Sequence, residues 1–132
     1  MSAPTDLLRQ VPLFQSLSRD QLDTLARSFR ERTFPAGSAV TTEGQGGVGF
    51  FLIESGAATV TVQGDERRTL RPGDYFGELA LIDDQPRSAT ITADEELRCW
   101  GLTPWEFRPL VESNAAIAWS MLQTLAKRLR EQ

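Results

Sequence analysis

Glycine-bearing turns divide the middle of the chain into short segments rich in β-forming residues. The turns recur at intervals of roughly 8–12 residues, a spacing typical of an all-β sandwich, barrel or roll. No helical pattern separates the β segments, which argues against the alternating units of a parallel sheet. The turns lie at Pro35-Ala36-Gly37, Gly44 to Gly49, Ser55-Gly56, Gln63-Gly64-Asp65 and Arg71-Pro72-Gly73-Asp74.

Two of these segments indicate how the strands are buried. The run from Phe50 to Ile53 is apolar throughout, which predicts a strand covered on both faces. The run from Ala57 to Gln63 alternates, with Ala58, Val60 and Val62 on one face. This alternation predicts a strand with one buried and one exposed side.

Helix signals flank the β-rich middle. Ser18 and Gln21 form a capping box, and Thr103 and Glu106 form a second one with Pro104 at the first helical position. We expect the first of these helices to fade near Arg30–Arg32. A longer helix is predicted after Asn114, with an apolar stripe made of Ile117, Ala118, Met121, Leu122, Leu125, Ala126 and Leu129.

These patterns predict one domain over residues 1–132. Its N-terminal helices would occupy residues 5–31, a β-roll residues 33–102, and C-terminal helices residues 104–131. The predicted fold is an antiparallel, jelly-roll-like β-roll of about eight strands with helices at both ends.

Composition narrows the classes of function. The chain of 132 residues has no histidine and one cysteine, so His-based catalysis and His metal sites are excluded. The net charge of −4 does not suit a domain that grips many DNA phosphates. The N-terminus lacks a secretion signal, and no apolar run approaches the ~20 residues of a membrane span. We therefore expect a cytoplasmic protein that binds neither DNA nor membrane, with Cys99, Trp100 and Trp105 in its core.

The segment from Phe76 to Thr90 does not resemble another strand and turn. Gly77 precedes a short helix-compatible run, and the N-terminus of such a helix attracts anions. Arg87 offers a bidentate grip on phosphate, and Ser88 adds a hydroxyl. Glu78 would repel phosphate but accept hydrogen bonds from sugar hydroxyls. Together these groups indicate a phosphorylated sugar as the ligand.

This segment resembles the phosphate-binding cassette of cyclic-nucleotide-binding domains. The family includes cyclic-AMP-dependent kinase regulatory subunits and catabolite-activator-type transcription factors. The order Phe-Gly-Glu-Leu-Ala-Leu from Phe76, followed by Pro-Arg-Ser-Ala-Thr from Pro86, is similar to the family pattern without a gap. The resemblance extends over nearly the whole chain.

The resemblance implies a role for each residue of this cassette. Glu78 would accept from the ribose 2′-hydroxyl, and Arg87 would pair with the cyclic phosphate. Backbone N–H groups would come from Gly77, Ala80, Ser88 and Ala89. Apolar walls for base and sugar would come from Val60, Val62, Leu70 and Leu79, although any of these four also suits a core position.

The predicted function is therefore that of a non-catalytic cyclic nucleotide sensor without metal or cofactor, which signals through its C-terminal helix. Within the family, threonine after the arginine often favours cyclic GMP, and alanine is associated with cyclic AMP. Ser88 leaves both nucleotides open, and we favour cyclic AMP. The resemblance also implies a homodimer through the C-terminal helix. The alternative is an interaction or oligomerisation module whose ligand is lost or changed.

Overall fold

The computed structural model describes residues 3–41, 49–77, 81–82 and 89–131. Helices stand at both ends of these residues. The N-terminal helices are α1 (Thr5–Arg9), a 3-10 helix (Pro12–Phe14) and α2 (Arg19–Ala26). The C-terminal helices are α3 (Pro104–Glu112) and α4 (Ala115–Arg130).

Within the described ranges, eight antiparallel strands lie between the helices and form two four-stranded sheets. Sheet A has the order β1-β8-β3-β6, and sheet B has the order β2-β7-β4-β5. The strands are β1 (Arg30–Phe34), β2 (Ala39–Thr41), β3 (Phe50–Ser55), β4 (Ala58–Val62), β5 (Asp65–Leu70), β6 (Tyr75–Phe76), β7 (Thr90–Ala93) and β8 (Leu97–Leu102). This confirms the predicted roll of about eight strands with helices at both ends.

Sheet A separates two apolar layers. Alternate residues of a strand point to opposite faces of a sheet. Phe50 and Leu52 pack in one layer with the helices, whereas Phe51 and Ile53 pack in the other layer against sheet B. We call the first the helix layer and the second the roll interior. All four side chains are buried, as the uninterrupted apolar run predicts.

Both predicted capping boxes are present. The Ser18 hydroxyl accepts a hydrogen bond from the Gln21 N–H, and the Gln21 side chain accepts from the Ser18 N–H. Thr103 and Glu106 make the same reciprocal pair at the start of α3. Each box satisfies two N–H groups that a helix start otherwise leaves free, so the sequence fixes both starting points.

Two predictions about the helices were wrong. The first helix after Ser18 ends at Ala26 rather than near Arg30–Arg32. Arg30 already pairs with Gly101 of β8, and this sheet pairing overrides the local helical preference.

Trp105 is the second correction. It was expected in the core, but it is 68% exposed. Two helical residues turn by about 200°, so Trp105 and the buried Phe107 lie on opposite sides of α3. Cys99 and Trp100 are buried as expected.

The predicted stripe of α4 divides into two faces. Ile117, Met121 and Thr124 are buried against the body of the domain, and Leu125 is half-buried. Leu122 and Leu129 are instead exposed, as is Trp119, which the stripe did not include. Exposed residues of the outward side recur at intervals of four and three. We call this set the outer seam: Ala115, Trp119, Leu122, Ala126 and Leu129.

Candidate functional site

The segment between Gly77 and Ala89 joins the two sheets. It follows β6 at the edge of sheet A and leads into β7, which lies inside sheet B between β2 and β4. We call residues 77–89 the cassette. Gly77 opens it with φ +84°, a left-handed conformation that glycine adopts readily. A glycine is therefore required at the point where the chain leaves sheet A.

Packing holds the first end of the cassette in both apolar layers. Phe76 lies in the roll interior, and its ring centroid is 5.3 Å from that of Phe51. Leu81 is buried in the helix layer together with Ile117 and Met121 of α4. Phe76 and Leu81 therefore lie in different apolar layers, on opposite sides of sheet A.

Hydrogen bonds fix the second end of the cassette. The buried hydroxyl of Thr41 donates to the carbonyl oxygen of Ala89 at 3.3 Å. Ala89 packs against the roll interior, and Thr90 then pairs with Thr61 of β4. The end of the cassette thus lies beside the second half of β4.

The structure places the predicted apolar walls on neighbouring strands of sheet B. Val60 and Leu70 are buried in the roll interior, and Val62 is half-buried at the end of β4. Val60 of β4 pairs with Ile91 of β7, and Leu70 of β5 pairs with Ala58 of β4. Val62 is the most accessible of the three, because Val60 and Leu70 pack as core side chains.

Five of the predicted site residues are not among the described residues. Glu78, Leu79, Ala80, Arg87 and Ser88 lie outside the described ranges. The structure does place both boundaries of the cassette, at Gly77 and Ala89, and it places Leu81 and the exposed Ile82 within it. The roles of the five residues remain predictions.

The roll interior beside the cassette is apolar, and the buried Cys99 lies in it. Burial raises the pKa of the Cys99 thiol to about 12, so this thiol is neutral at physiological pH and a poor nucleophile. No group of three or more Cys, Asp or Glu side chains positioned to hold a metal ion occurs within the described ranges. The described framework beside the cassette therefore contributes apolar side chains.

Sequence reasoning missed Thr41 as a site residue. It is one of only two buried polar residues in the described part of the chain, with Thr124 as the other. A threonine near the end of a β-rich segment carries no special signal, because threonine is common in strands. The hydrogen bond to Ala89 depends on the pairing of β2 with β7, which the local sequence does not reveal.

The chain belongs to the cyclic nucleotide-binding domain family. The family pattern matches residues 31–114, which include the whole β-roll from Glu31 onward, the cassette and α3. The two four-stranded sheets and the cassette between β6 and β7 lie within this match.

Two relatives illustrate the family's range. The chain is 43% identical over 93 residues to a cAMP-dependent protein kinase regulatory subunit of Yarrowia lipolytica, covering 69% of this chain and 25% of the relative. It is 39% identical over 92 residues to a cGMP-dependent protein kinase of Eimeria tenella, covering 70% of this chain and 9% of that kinase. The chain thus spans a quarter or less of these relatives' own length.

Solved structures have the same fold. The N-terminal domain of a transcriptional regulator from Streptomyces coelicolor superposes with a TM-score of 0.85 at 30% identity, covering 96% of this chain and 91% of that one. The regulatory domain of Toxoplasma gondii PKA, crystallised with cAMP, gives a TM-score of 0.72 at 33% identity, covering 85% of this chain and 44% of that one.

In the described part of this chain, no helix is both long and apolar enough to cross a membrane.

Proposed function

We propose that this chain is a non-catalytic sensor that binds a 3′,5′-cyclic mononucleotide, with cyclic AMP preferred over cyclic GMP. The observation that carries the proposal is the position of the cassette. Its ends, Gly77 and Ala89, are held at sheets A and B, and the sequence Phe-Gly-Glu-Leu-Ala-Leu from Phe76 lies within the residues that the family pattern matches. The proposal requires no small molecule other than this ligand, and it includes no metal or cofactor.

In this proposal, the phosphate binds to the cassette. Arg87 would donate two parallel hydrogen bonds to the cyclic phosphate, and N–H groups near Gly77, Ala80, Ser88 and Ala89 would add further donors. Charge-assisted bonds of this kind are roughly twice as strong as neutral ones. Glu78 would accept from the ribose 2′-hydroxyl, so the site would discriminate ribose from deoxyribose.

The sugar and base would lie over the apolar side of sheet B. Leu79 and Val62 are the proposed contacts, while Val60 and Leu70 support them from the roll interior. Burial of a base on such a surface and the grip on phosphate together suit micromolar binding, which corresponds to about −8 kcal/mol.

Ligand binding would be transmitted to α4 through Leu81. This residue belongs to the cassette, yet it packs in the helix layer with Ile117 and Met121. A ligand that orders the cassette in one of two positions would therefore bias the position of α4.

The proposal includes a homodimer formed through α4. Trp119, Leu122 and Leu129 are 63%, 57% and 69% exposed on the side of α4 that faces away from the body. Large apolar side chains grouped on one exposed helix face mark an interaction surface. We do not assign DNA binding to this chain, because its charge is −4, and a cytoplasmic location is part of the same proposal.

The competing function is an interaction module that has lost or changed its ligand. The exposed side of α4 suits this alternative as well. The presence of both Glu78 and Arg87 in the cassette favours a module that still binds its nucleotide.

Calorimetric titration of cyclic AMP and cyclic GMP into the wild type and Arg87→Ala tests the proposal. We expect micromolar binding to the wild type and a loss of about 100-fold in Arg87→Ala, because two charge-assisted hydrogen bonds of ~1.5 kcal/mol each disappear. Arg19→Ala is the matched control, since Arg19 is an exposed arginine on α2. It should bind like the wild type.

Three results would contradict the proposal in different ways. Failure of both nucleotides to bind the wild type below millimolar concentration would reject the function. Equal binding by the wild type and Arg87→Ala would reject the assigned phosphate site. Tighter binding of cyclic GMP than of cyclic AMP would reject the proposed preference.

A further inference from the structure

The last turns of α4 contact the N-terminal helices through polar side chains as well as apolar ones. The hydroxyl groups of Thr124 on α4 and of Ser16, two residues after the 3-10 helix, lie 3.1 Å apart. Thr124 is buried, and its hydroxyl donates to the carbonyl oxygen of Ser120 at 3.2 Å. Because each hydroxyl carries a single proton, Ser16 is the donor in this contact and Thr124 is the acceptor.

Arg128 lies one turn beyond Thr124 and has a buried donor without a partner. Residues four apart share one face of a helix, and their side chains lean toward its N-terminus. The stem of Arg128 is therefore directed toward Thr124. The Nη1 atom of Arg128 is buried and makes no hydrogen bond. A buried donor without a partner is costly, so an acceptor at this atom would stabilise the packed structure.

Arg9 brings a second guanidinium to the same contact. Its Nη1 atom donates to the carbonyl oxygen of Leu17 at 3.3 Å, and Leu17 directly follows Ser16. A guanidinium carries several N–H donors, and within the described ranges Arg9 uses one of them. We call the set of Arg9, Ser16, Thr124 and Arg128 the polar junction.

Neither arginine of the polar junction pairs with a carboxylate in the described part of the chain. The ion pairs found there involve Arg98 and Arg108 instead. Lys127 and Arg130 add positive charge in the last turn of α4, and Glu131 after it supplies one negative charge. The polar junction is therefore a positively charged contact whose counter-charge the described residues do not supply.

We infer that the polar junction binds a phosphate-type oxyanion. Guanidinium groups bind phosphate through parallel N–H bonds. Two such groups from different helices suit a tetrahedral anion, whose oxygens point in several directions, better than a planar carboxylate. The buried Nη1 atom of Arg128 would donate to one oxygen, and the remaining donors of Arg9 would bind the others. The inference does not depend on the proposed nucleotide site.

An anion at the polar junction would connect α4 to the N-terminal helices. Arg9 belongs to α1 and Arg128 to α4, so both helices would bind the same anion. These charge-assisted hydrogen bonds are roughly twice as strong as the neutral bond between Ser16 and Thr124. The anion would therefore favour the observed position of α4 over positions in which the helix moves away.

Thermal unfolding in phosphate and in chloride, at equal pH and ionic strength, tests the site. For a dissociation constant of roughly 1 mM, about 20 mM phosphate should raise the Tm of the wild type by roughly 6 °C. Arg128→Met keeps the apolar stem without the guanidinium and should lose most of this rise. Arg130→Met is the matched control, because Arg130 is an exposed arginine of the same turn. It should keep the rise.

The same variants distinguish an anion site from an arginine that only supports packing. In chloride, Arg128→Met should be at least as stable as the wild type, because it lacks the buried donor without a partner. In phosphate, the wild type should be the more stable protein. An arginine that only supports packing would make Arg128→Met less stable by the same amount in both salts.

Two further measurements locate the anion. Arg87→Ala should keep the rise in Tm, which separates the polar junction from the phosphate site proposed in the cassette. In a phosphate titration followed by ¹⁵N NMR, the side-chain signals of Arg9 and Arg128 should shift together with one dissociation constant.

Four results would overturn the inference. An equal rise in Tm for the wild type and Arg128→Met would show that phosphate acts on the protein in general. A destabilisation of Arg128→Met that is equal in both salts would assign Arg128 to packing. A rise in acetate as large as in phosphate would reject a tetrahedral anion. Loss of the rise in Arg87→Ala would place the phosphate in the cassette.

Discussion

Thr41 donates a hydrogen bond of 3.3 Å to the carbonyl oxygen of Ala89, which joins β2 to the last residue of the cassette. Apart from this bond and the entry into β7, Ala89 is held by apolar packing alone in the described structure. The buried hydroxyl of Thr41 therefore holds the carbonyl of the same residue whose N–H the proposed phosphate site would use.

Thr41→Val should weaken nucleotide binding about three- to tenfold. Valine keeps the shape of threonine but removes the hydroxyl, and a hydrogen bond of this kind contributes ~0.5–1.5 kcal/mol. Calorimetric titration measures the effect. Thr59→Val is the control, because Thr59 bonds to Asp94 on the exposed side of sheet B. A control as impaired as Thr41→Val would show that the effect is not specific to the cassette.

Substitutions of Ser88 should move the preference between nucleotides. By the pattern of the family, Ser88→Thr should raise the affinity for cyclic GMP relative to cyclic AMP, and Ser88→Ala should lower it. A shift in the ratio of about tenfold corresponds to one hydrogen bond to the base, ~1.4 kcal/mol. Competition titrations with both nucleotides measure the ratio. An unchanged ratio in both variants would exclude Ser88 as a selectivity residue.

Gly56→Ala should destabilise the fold much more than Gly64→Ala. Both glycines have positive φ, +94° and +81°, which costs an alanine roughly 1 kcal/mol. A Cβ at Gly56 would also collide with the backbone of Glu96 and Leu97, whereas a Cβ at Gly64 would meet open space. Urea unfolding should show a loss above ~3 kcal/mol for Gly56→Ala. Similar losses in both variants would contradict the close approach at Gly56.

Alkaline pH should destabilise the wild type through Cys99. Burial raises the pKa of this thiol from 9.0 to about 12, so the folded state keeps a proton that the unfolded state releases. The contribution is complete below pH 9 and is lost as the pH rises from 9 toward 12, by at most ~1.4 kcal/mol per pH unit. Unfolding of the wild type and Cys99→Ala between pH 8 and 10 tests this. Parallel curves for the two proteins would contradict it.

The parts of the fold that local sequence determines were predicted correctly. The capping boxes at Ser18 and Thr103 depend on side chains three residues apart, and the burial of Phe50 to Ile53 follows from an uninterrupted apolar run. Errors occurred where tertiary contacts decide. The pairing of Arg30 with β8 ended a helix early, and the orientation of α3 exposed Trp105.

The outline of the candidate site could likewise be proposed from the local sequence. The cassette is a continuous segment, so its residues are readable in order. Thr41 reaches it from 48 positions away in the chain, which no local pattern reveals. On α4, the inner and outer sets overlap in sequence, and only the packed structure separates Met121 from Leu122.

Sheet A acts as a partition, with Phe51 and Ile53 on one side and Phe50 and Leu52 on the other. Side chains on one side therefore pack against a different set of neighbours from those on the other. If the domain acts as the proposed sensor, changes in the helices would alter its output while the roll interior keeps the surface proposed for the ligand. A partition of this kind would let one receptor design serve kinases and transcriptional regulators alike.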